Sequence, residues 1–165
     1  MRDLDPNGVI EWSGLVTTSI DGRKSPDLLS AGDVVFASRG LHNYAVCLDD
    51  VPARTVCSQH FFLLRVKNDR LLPQFLAWQI NRAPAQRYFA KHAEGSAQLS
   101  IRRAVLEALS LAVPPLDYQQ RIIDLHRHAQ AERALLENLI RNRERQLDAL
   151  ACALFAEQSN HDDNR

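Results

Sequence analysis

The sequence predicts an α+β fold, in which a small mixed or antiparallel β-rich domain is followed by one long C-terminal α-helix. Glycine and proline break the first 116 residues into short segments, whereas the stretch from Asp117 to Glu157 contains neither. Apolar residues recur in that stretch at heptad-like spacing, which is typical of helices that pair along one face. The length of 165 residues suits one domain with an appended element.

The predicted strands are short and rich in β-branched or aromatic residues. They cover residues 9–12, 34–37, 44–48 and 61–66, with two shorter strands at 99–101 and 111–113. A turn at Gly32-Asp33 precedes the second of these strands, and Pro114-Pro115 ends the last one. The segments show no internal repeat.

Three helical segments are predicted before the long helix. Pro73 suits the first turn of one helix, and Trp78 on that helix is expected in the core. A second helix covers residues 85–92, and a helical turn covers residues 105–109. The α and β segments therefore alternate irregularly, as in an α+β domain.

The long helix, predicted over residues 117–157, would extend about 60 Å. Its apolar seam is interrupted by Arg133 and Arg143 and consists of Ile122, Leu125, Ala129, Leu136, Ile140, Leu147, Leu150 and Leu154. Residues 1–116 form the predicted globular domain, which is too small to cover this seam, so we expect a partner helix. The alternatives are a solvent-exposed single helix or a hairpin. Residues 158–165 are polar and predicted to be a disordered tail.

The neutral net charge conceals an uneven distribution. The chain has 20 Lys/Arg and 20 Asp/Glu, yet residues 65–103 carry eight of the former and two of the latter. A basic stretch of this kind can neutralise phosphates, although a solvated surface is the alternative interpretation. The neutral total therefore does not exclude nucleic acid as a partner.

Several classes of protein are disfavoured. No apolar run is long enough for a membrane span, and residues 1–6 do not resemble a signal peptide. The cysteines, at 47, 57 and 152, lack metal-ligand spacing and suit a reduced, cytoplasmic setting. Phosphate-loop, dinucleotide, nucleophile-elbow and metal motifs are missing, so we predict no catalytic residue, no metal and no cofactor.

A set of short segments stands in a recognisable order. They are LSAGDVVFASRG at 29–40, FFLLR at 61–65, PQFLAWQIN at 73–81, GS at 95–96, LSI at 99–101, LEAL at 106–109 and VPPL followed by QQRI within 113–122. Together they resemble the specificity (S) subunits of type I restriction–modification systems. The resemblance covers roughly residues 1–157 and includes a single target recognition domain, so the chain resembles a half-subunit. In that family a further segment usually precedes the position of Met1, which leads us to expect a late start or a truncated product.

The resemblance implies a function. A target recognition domain of this family reads one half of a bipartite site in double-stranded DNA. The helices pair in antiparallel fashion, act as a spacer and dock methyltransferase (M) subunits, and through them restriction (R) subunits. The S subunit itself is not catalytic. We therefore expect DNA, M and R subunits, and a second copy or another S polypeptide as partners.

Candidate DNA-binding residues lie on loops that combine small residues with projecting cations or amides. Arginine is the commonest reader of guanine, and asparagine or glutamine suits adenine. The candidates are Arg23, Lys24, Ser38, Arg39, His42, Asn43, Gln59, Lys91, His92, Ser96, Gln98, Arg102 and Arg103. A purely structural role is the alternative for each candidate. Two polar residues outside this list have structural interpretations as well: Asp33 would cap a turn, and Arg65 would pair with an acid across the sheet.

Two other functions compete with DNA recognition. The chain could be a coiled-coil adaptor whose globular part binds protein, which predicts no salt-dependent affinity for DNA. It could also be a truncated remnant that caps M or S subunits, which predicts binding through the helix without methylation. An enzyme is disfavoured by the missing motifs.

Overall fold

The computed structural model describes residues 12–17, 19, 26–40, 42–95 and 99–162. A 3-10 turn at Trp12–Gly14 is followed by β1 (Val34–Ala37), β2 (Arg39–Gly40), β3 (Ala45–Cys47), β4 (Phe61–Leu64), α1 (Pro73–Ile80), α2 (Ala83–His92), β5 (Leu99–Ser100), α3 (Arg103–Glu107) and α4 (Leu116–Asp162). The predicted α+β class is confirmed. Contacts divide the chain into two units, Met1–Ile123 and Asp124–Arg165.

The main sheet of the first unit has three antiparallel strands in the order β3-β1-β4. Val34 of β1 lies opposite Cys47 on one side and Leu64 on the other. All four β1 residues are buried, which explains why this strand is a continuous apolar run with no polar alternation. A separate antiparallel ribbon joins β2 to β5, with Arg39 opposite Ser100.

The strands predicted at 34–37, 44–48, 61–66 and 99–101 are therefore present, the last three with shorter bounds. The strand predicted at 9–12 has a different outcome. Trp12 begins the 3-10 turn instead of ending a strand, and residues 9–11 lie outside the described part of the chain.

The strand predicted at 111–113 is wrong. These residues form no strand, because a side chain takes the place of a neighbouring strand. Gln79 accepts a hydrogen bond from Ala112 N at 2.9 Å and donates one to Ala112 O at 2.8 Å. Leu111 and Val113 on either side are exposed, so the segment has no apolar face to bury against a sheet.

Both α1 and α2 carry proline in their first turn, where the missing N–H costs nothing. Their apolar faces contribute to one core with β1, in which the Phe36 and Phe89 rings lie 5.1 Å apart. Trp78 is only half-buried, because it stacks on Phe75 at the margin of this core. The buried residues of the core are Val34, Phe36, Ala45, Leu76, Ala77, Ile80, Ala85, Phe89, Ile101 and Leu106.

An ion pair between the buried Asp33 and the half-exposed Arg65 fixes the turn before β1. Asp33 is buried and accepts hydrogen bonds from Arg65 Nε at 2.7 Å and Arg65 Nη2 at 2.6 Å, in the bidentate geometry that suits a guanidinium and a carboxylate. Ser30 N donates to the same carboxylate, and Gly32 supplies the positive φ of 86° that the turn requires. Asp33 therefore caps the turn and pairs across the sheet, as the structural alternative predicted.

The start of α4 is held by the fully buried side chain of Gln119. Its Oε1 accepts a hydrogen bond from Leu72 N at 2.9 Å, and its Nε2 donates to Arg70 O at 2.8 Å and to Pro114 O at 2.7 Å. Ile123, one turn further along the same face, is also buried. The first two turns of α4 are thus packed within the first unit.

The second unit is the remainder of α4. This helix continues to Asp162, five residues beyond the predicted end at Glu157. The segment predicted as a tail is therefore helical over residues 158–162, and residues 163–165 lie outside the described part of the chain. From Arg127 to Phe155 every residue is exposed.

We predict that Gln119→Leu destabilises the chain by about 2–3 kcal/mol, since it removes three hydrogen bonds to partly buried backbone groups. Urea unfolding followed by circular dichroism measures the change. Gln120→Leu is the matched control, because Gln120 is exposed on the same helical turn. Equal stability of the two variants would contradict this role of the amide.

A second prediction concerns pH. The hydrogen bonds from Arg65 hold the pKa of Asp33 below its ordinary value of 3.8, although burial opposes them. The stabilisation is therefore complete above 3.8 and is lost as the pH falls through the lower pKa of the folded state. Asp33→Asn should lower the unfolding free energy by about 1–2 kcal/mol at neutral pH, since water partly screens the half-exposed Arg65, and the difference from wild type should shrink in acid.

The measurement is urea unfolding of wild type and of Asp33→Asn, from neutral pH down to pH values below 3.8. Asp50→Asn, at an exposed aspartate, should differ little from wild type at every pH. A difference between Asp33→Asn and wild type that stayed constant into acid would contradict the linkage.

Candidate nucleic-acid interface

Ser38 joins the segments that carry most of the candidate DNA-binding residues. Its backbone N and its Oγ both donate to the carbonyl oxygen of His60, at 3.0 and 2.8 Å. Its own carbonyl oxygen accepts a hydrogen bond from Ile101 N at 2.8 Å. The loop after β1, the turn before β4 and the segment after β5 therefore meet at one residue.

This junction places four predicted side chains on neighbouring backbone segments. Arg39 follows Ser38 directly, Gln59 belongs to the turn that Ser38 binds, and Arg102 follows Ile101. All three side chains are exposed, as is His42 further along the first loop. Sequence reasoning named these residues separately, and the structure brings their segments together.

Ser38 and Asn43 have a different role from the one predicted. Both are buried, and Asn43 Nδ2 donates to Ala37 O at 3.0 Å. The carbonyl oxygen of Asn43 accepts a further hydrogen bond from Gln86 Nε2 at 2.8 Å. The side chains of Ser38 and Asn43 therefore bind backbone carbonyl oxygens within the unit and stabilise the loop that carries Arg39, and neither is exposed to a ligand.

The β2–β5 ribbon is extended by a bridge between Glu94 and Ser100. Glu94 N donates to Ser100 O at 3.0 Å, and Ser100 N donates to Glu94 O at 2.9 Å. Gly95 follows with a positive φ of 99°, where the chain turns away from the bridge. Across this bridge, Arg102 Nη2 lies 2.6 Å from Glu94 Oε2.

Helix α2 ends next to this ribbon and carries further cations. Lys91 and His92 are exposed in its last turn, and Nδ1 of His92 lies 2.8 Å from the carbonyl oxygen of Tyr88. Arg87 is exposed one turn before Lys91, on the same side of the helix. Arg87 was not among the candidates named from the sequence, although its i, i+4 spacing from Lys91 predicts that both cations lie on one side of the helix.

Two members of the basic stretch are engaged elsewhere. Arg65 is committed to Asp33, and Arg103 Nε lies 2.7 Å from Glu107 Oε1 one helical turn away. Glu94 and Glu107 thus reduce the positive charge of the candidate surface. The remaining predicted residues, Arg23, Lys24, Ser96 and Gln98, lie outside the described part of the chain.

Cys57 is a partly buried free cysteine of the first unit. Burial, with a smaller contribution from the Asp33 charge, raises the pKa of the Cys57 thiol to about 11, so this thiol stays protonated at neutral pH. Within the described ranges, no group of His, Cys, Asp or Glu side chains is arranged to hold a metal ion. In the same ranges, no helix is both long and apolar enough to span a membrane.

The apolar seam of α4 forms a second candidate surface. Its heptad d positions are Ile122, Ala129, Leu136, Arg143 and Leu150, and its a positions are His126, Arg133, Ile140, Leu147 and Leu154. Leu125 lies beside the seam. Ile122 is half-buried, whereas the predicted seam residues from Leu125 onward are exposed. An apolar face of this length is typical of a helix that pairs with another.

Comparison with known protein families supplies one match. The family model described as the type I restriction modification DNA specificity domain matches residues 7–140. The matched region contains the Ser38 junction, the β2–β5 ribbon and the first part of α4. No curated protein sequence matches the chain significantly.

Proposed function

Because the chain belongs to the family of type I restriction modification DNA specificity domains, we propose that it recognises a DNA half-site and directs methyltransferase and restriction subunits to it. The observation that carries this proposal is the convergence at Ser38 of three loop segments with exposed cations or amides. Loops on a rigid sheet suit base readout, because the scaffold fixes their side chains before DNA binds.

Arg39 is our first candidate for direct readout of a base. It is exposed, and its backbone is held by the β2–β5 ribbon and by its buried neighbour Ser38. His42 and Gln59 would contact neighbouring bases or sugars, while Arg102 and Lys91 suit phosphates. His92 and Arg103, together with Arg23, Lys24, Ser96 and Gln98, remain proposed contacts from the sequence pattern.

We assign the chain no reaction of its own. In this proposal residues 1–116 recognise DNA, residues 117–157 dock partners, and the methyltransferase subunits supply the chemistry in the cytoplasm. The protonated Cys57 thiol and the engaged Asp33 support a non-catalytic role, since neither is available as a nucleophile or a base. The proposal requires no cofactor.

Helix α4 would pair in antiparallel fashion with a second copy or with another S polypeptide. The seam supports self-pairing, because its positions are nearly symmetric about residue 138. An antiparallel pair centred there would place Leu136 opposite Ile140, Ala129 opposite Leu147 and Ile122 opposite Leu154. Two copies related by a two-fold axis would present two recognition domains to an interrupted palindromic site.

We predict that Arg39→Ala and Arg102→Ala each reduce methylation of the target sequence by the complex reconstituted with its methyltransferase subunits. Loss of a base contact at Arg39 should lower the specificity for the target by about tenfold or more. Loss of a phosphate contact at Arg102 should weaken binding to all sequences alike and flatten the salt dependence. Sequencing of methylated bases identifies the target and quantifies its modification.

Arg54→Ala is the matched control, because Arg54 is an exposed arginine of the first unit outside the candidate residues and outside the docking helix. Unchanged methylation by both site variants would make these residue assignments wrong. A chain that binds methyltransferase subunits but supports no methylation and no salt-dependent DNA binding would instead favour the adaptor or remnant interpretation.

For the helix, we predict that Leu136→Lys abolishes self-association in sedimentation measurements, because it places a charge in the centre of the apolar seam. Leu135→Lys is the matched control, since Leu135 is an exposed leucine next to the seam and not part of it. A monomeric wild-type chain at about tens of micromolar would count against a second copy as the partner.

A further inference from the structure

Glu94 is the sole acidic residue between Asp69 and Glu107, a stretch that also contains six Lys/Arg. Its carboxylate is paired with Arg102, the cation that follows the Ser38 junction. Both side chains are exposed, at 53% for Glu94 and 72% for Arg102. An acid at this position opposes the charge that a DNA-binding surface requires, so its placement calls for a physical explanation.

The backbone on both sides of this pair is fixed. Glu94 exchanges two hydrogen bonds with Ser100, and Ser100 is also paired with Arg39 in the β2–β5 ribbon. The backbone of Glu94 is therefore held on the same ribbon as Arg39, with its carboxylate within reach of Arg102. A carboxylate in that position occupies the guanidinium in the way that a DNA phosphate would.

We propose that Glu94 is an intramolecular competitor of DNA at Arg102, which keeps sequence-independent binding by this chain weak. The inference rests on the proposed function. An exposed ion pair of this kind is weak, because water and salt screen it, so a phosphate can displace the carboxylate at small cost. The affinity for DNA then becomes high only where other contacts supplement the Arg102–phosphate contact. These contacts come from base readout or from other subunits.

A purely structural role for Glu94 predicts the opposite effect of its removal. If the ion pair served only to order the ribbon, Glu94→Gln would leave DNA binding unchanged or weaken it. A competitor predicts a gain, because the freed guanidinium becomes available to a phosphate. The sign of the change therefore separates the two roles.

The test uses the full-length chain and a fluorescent DNA duplex of mixed sequence, with anisotropy measured over a series of KCl concentrations. Glu94→Gln should bind about two- to fivefold more tightly than wild type. The slope of log affinity against log salt should become steeper by up to about 0.9, since no displaced carboxylate takes up a salt cation when the phosphate binds Arg102. Sequence-independent DNA is the appropriate probe, since the competitor acts on the backbone contact.

Asp50→Asn is the matched control. Asp50 is an exposed acid of the first unit that is neither a candidate DNA-binding residue nor part of α4, so this variant removes one negative charge from outside the candidate surface. It should leave DNA affinity close to that of wild type. In the Arg102→Ala background, Glu94→Gln should have no effect, because the cation that it frees is missing.

Each result is decisive. If the wild type binds with salt dependence but Glu94→Gln matches Asp50→Asn or binds more weakly, the competitor role is overturned while the proposed function stands. A gain that persists without Arg102 also overturns it. If none of these proteins shows salt-dependent binding, the proposed function fails, and this inference fails with it.

Discussion

The buried amide of Gln119 is the contact on which the arrangement of the globular unit depends. It links the backbone before α1 to the backbone before α4, through hydrogen bonds to Arg70 O, Leu72 N and Pro114 O. Neither segment can satisfy these groups by pairing with the other as strands, because proline follows immediately in each and lacks an N–H. One side chain supplies the donors and the acceptor that a neighbouring strand would otherwise provide.

The same solution recurs at two other places. Asn81 accepts a hydrogen bond from Ala45 N and donates one to Ala45 O, and Gln79 does the same for Ala112. Ala45 belongs to β3, an outer strand of the three-stranded sheet, so Asn81 occupies the hydrogen-bonding edge at which a further strand could add. Side-chain amides thus close a small sheet that has few strands of its own.

These amides also explain which parts of the fold were predictable from the sequence. Helix α1, helix α4 and strand β1 have strong local signals, namely a proline in the first turn, a long seam without glycine, and a continuous β-branched run. Residues 111–113 carry an equally good local strand signal, yet their partner is a side chain 33 residues away. Local patterns cannot reveal a partner of that kind, so the strand prediction failed there.

Prediction of the candidate site from the sequence was limited in the same way. Arg39 and Ser38 are adjacent in a loop with polar residues, and both looked suited to DNA, but a short hydroxyl after a strand can turn inward and bind a carbonyl oxygen 22 residues away. A long arginine at the next position remains exposed. Loop composition therefore indicated segments that the structure brings together, whereas which side chains within them are buried or exposed depends on tertiary hydrogen bonds.

The positive charge that the basic stretch offers to a phosphate also depends on tertiary contacts. Of its eight cations, Arg65, Arg102 and Arg103 each lie within 2.7 Å of a carboxylate oxygen, so the charge available to a phosphate is smaller than the sequence count. Arg65 makes two hydrogen bonds to a buried carboxylate and is committed to the fold, whereas the pairs of Arg102 and Arg103 are exposed on both sides, weak and exchangeable. Under the proposed function, a surface built in this way would hold DNA loosely by itself, and its affinity would depend on contacts that only a matching sequence or a partner subunit adds. Neutral net charge is then compatible with DNA recognition, because it weakens binding to DNA sequences that the chain does not read.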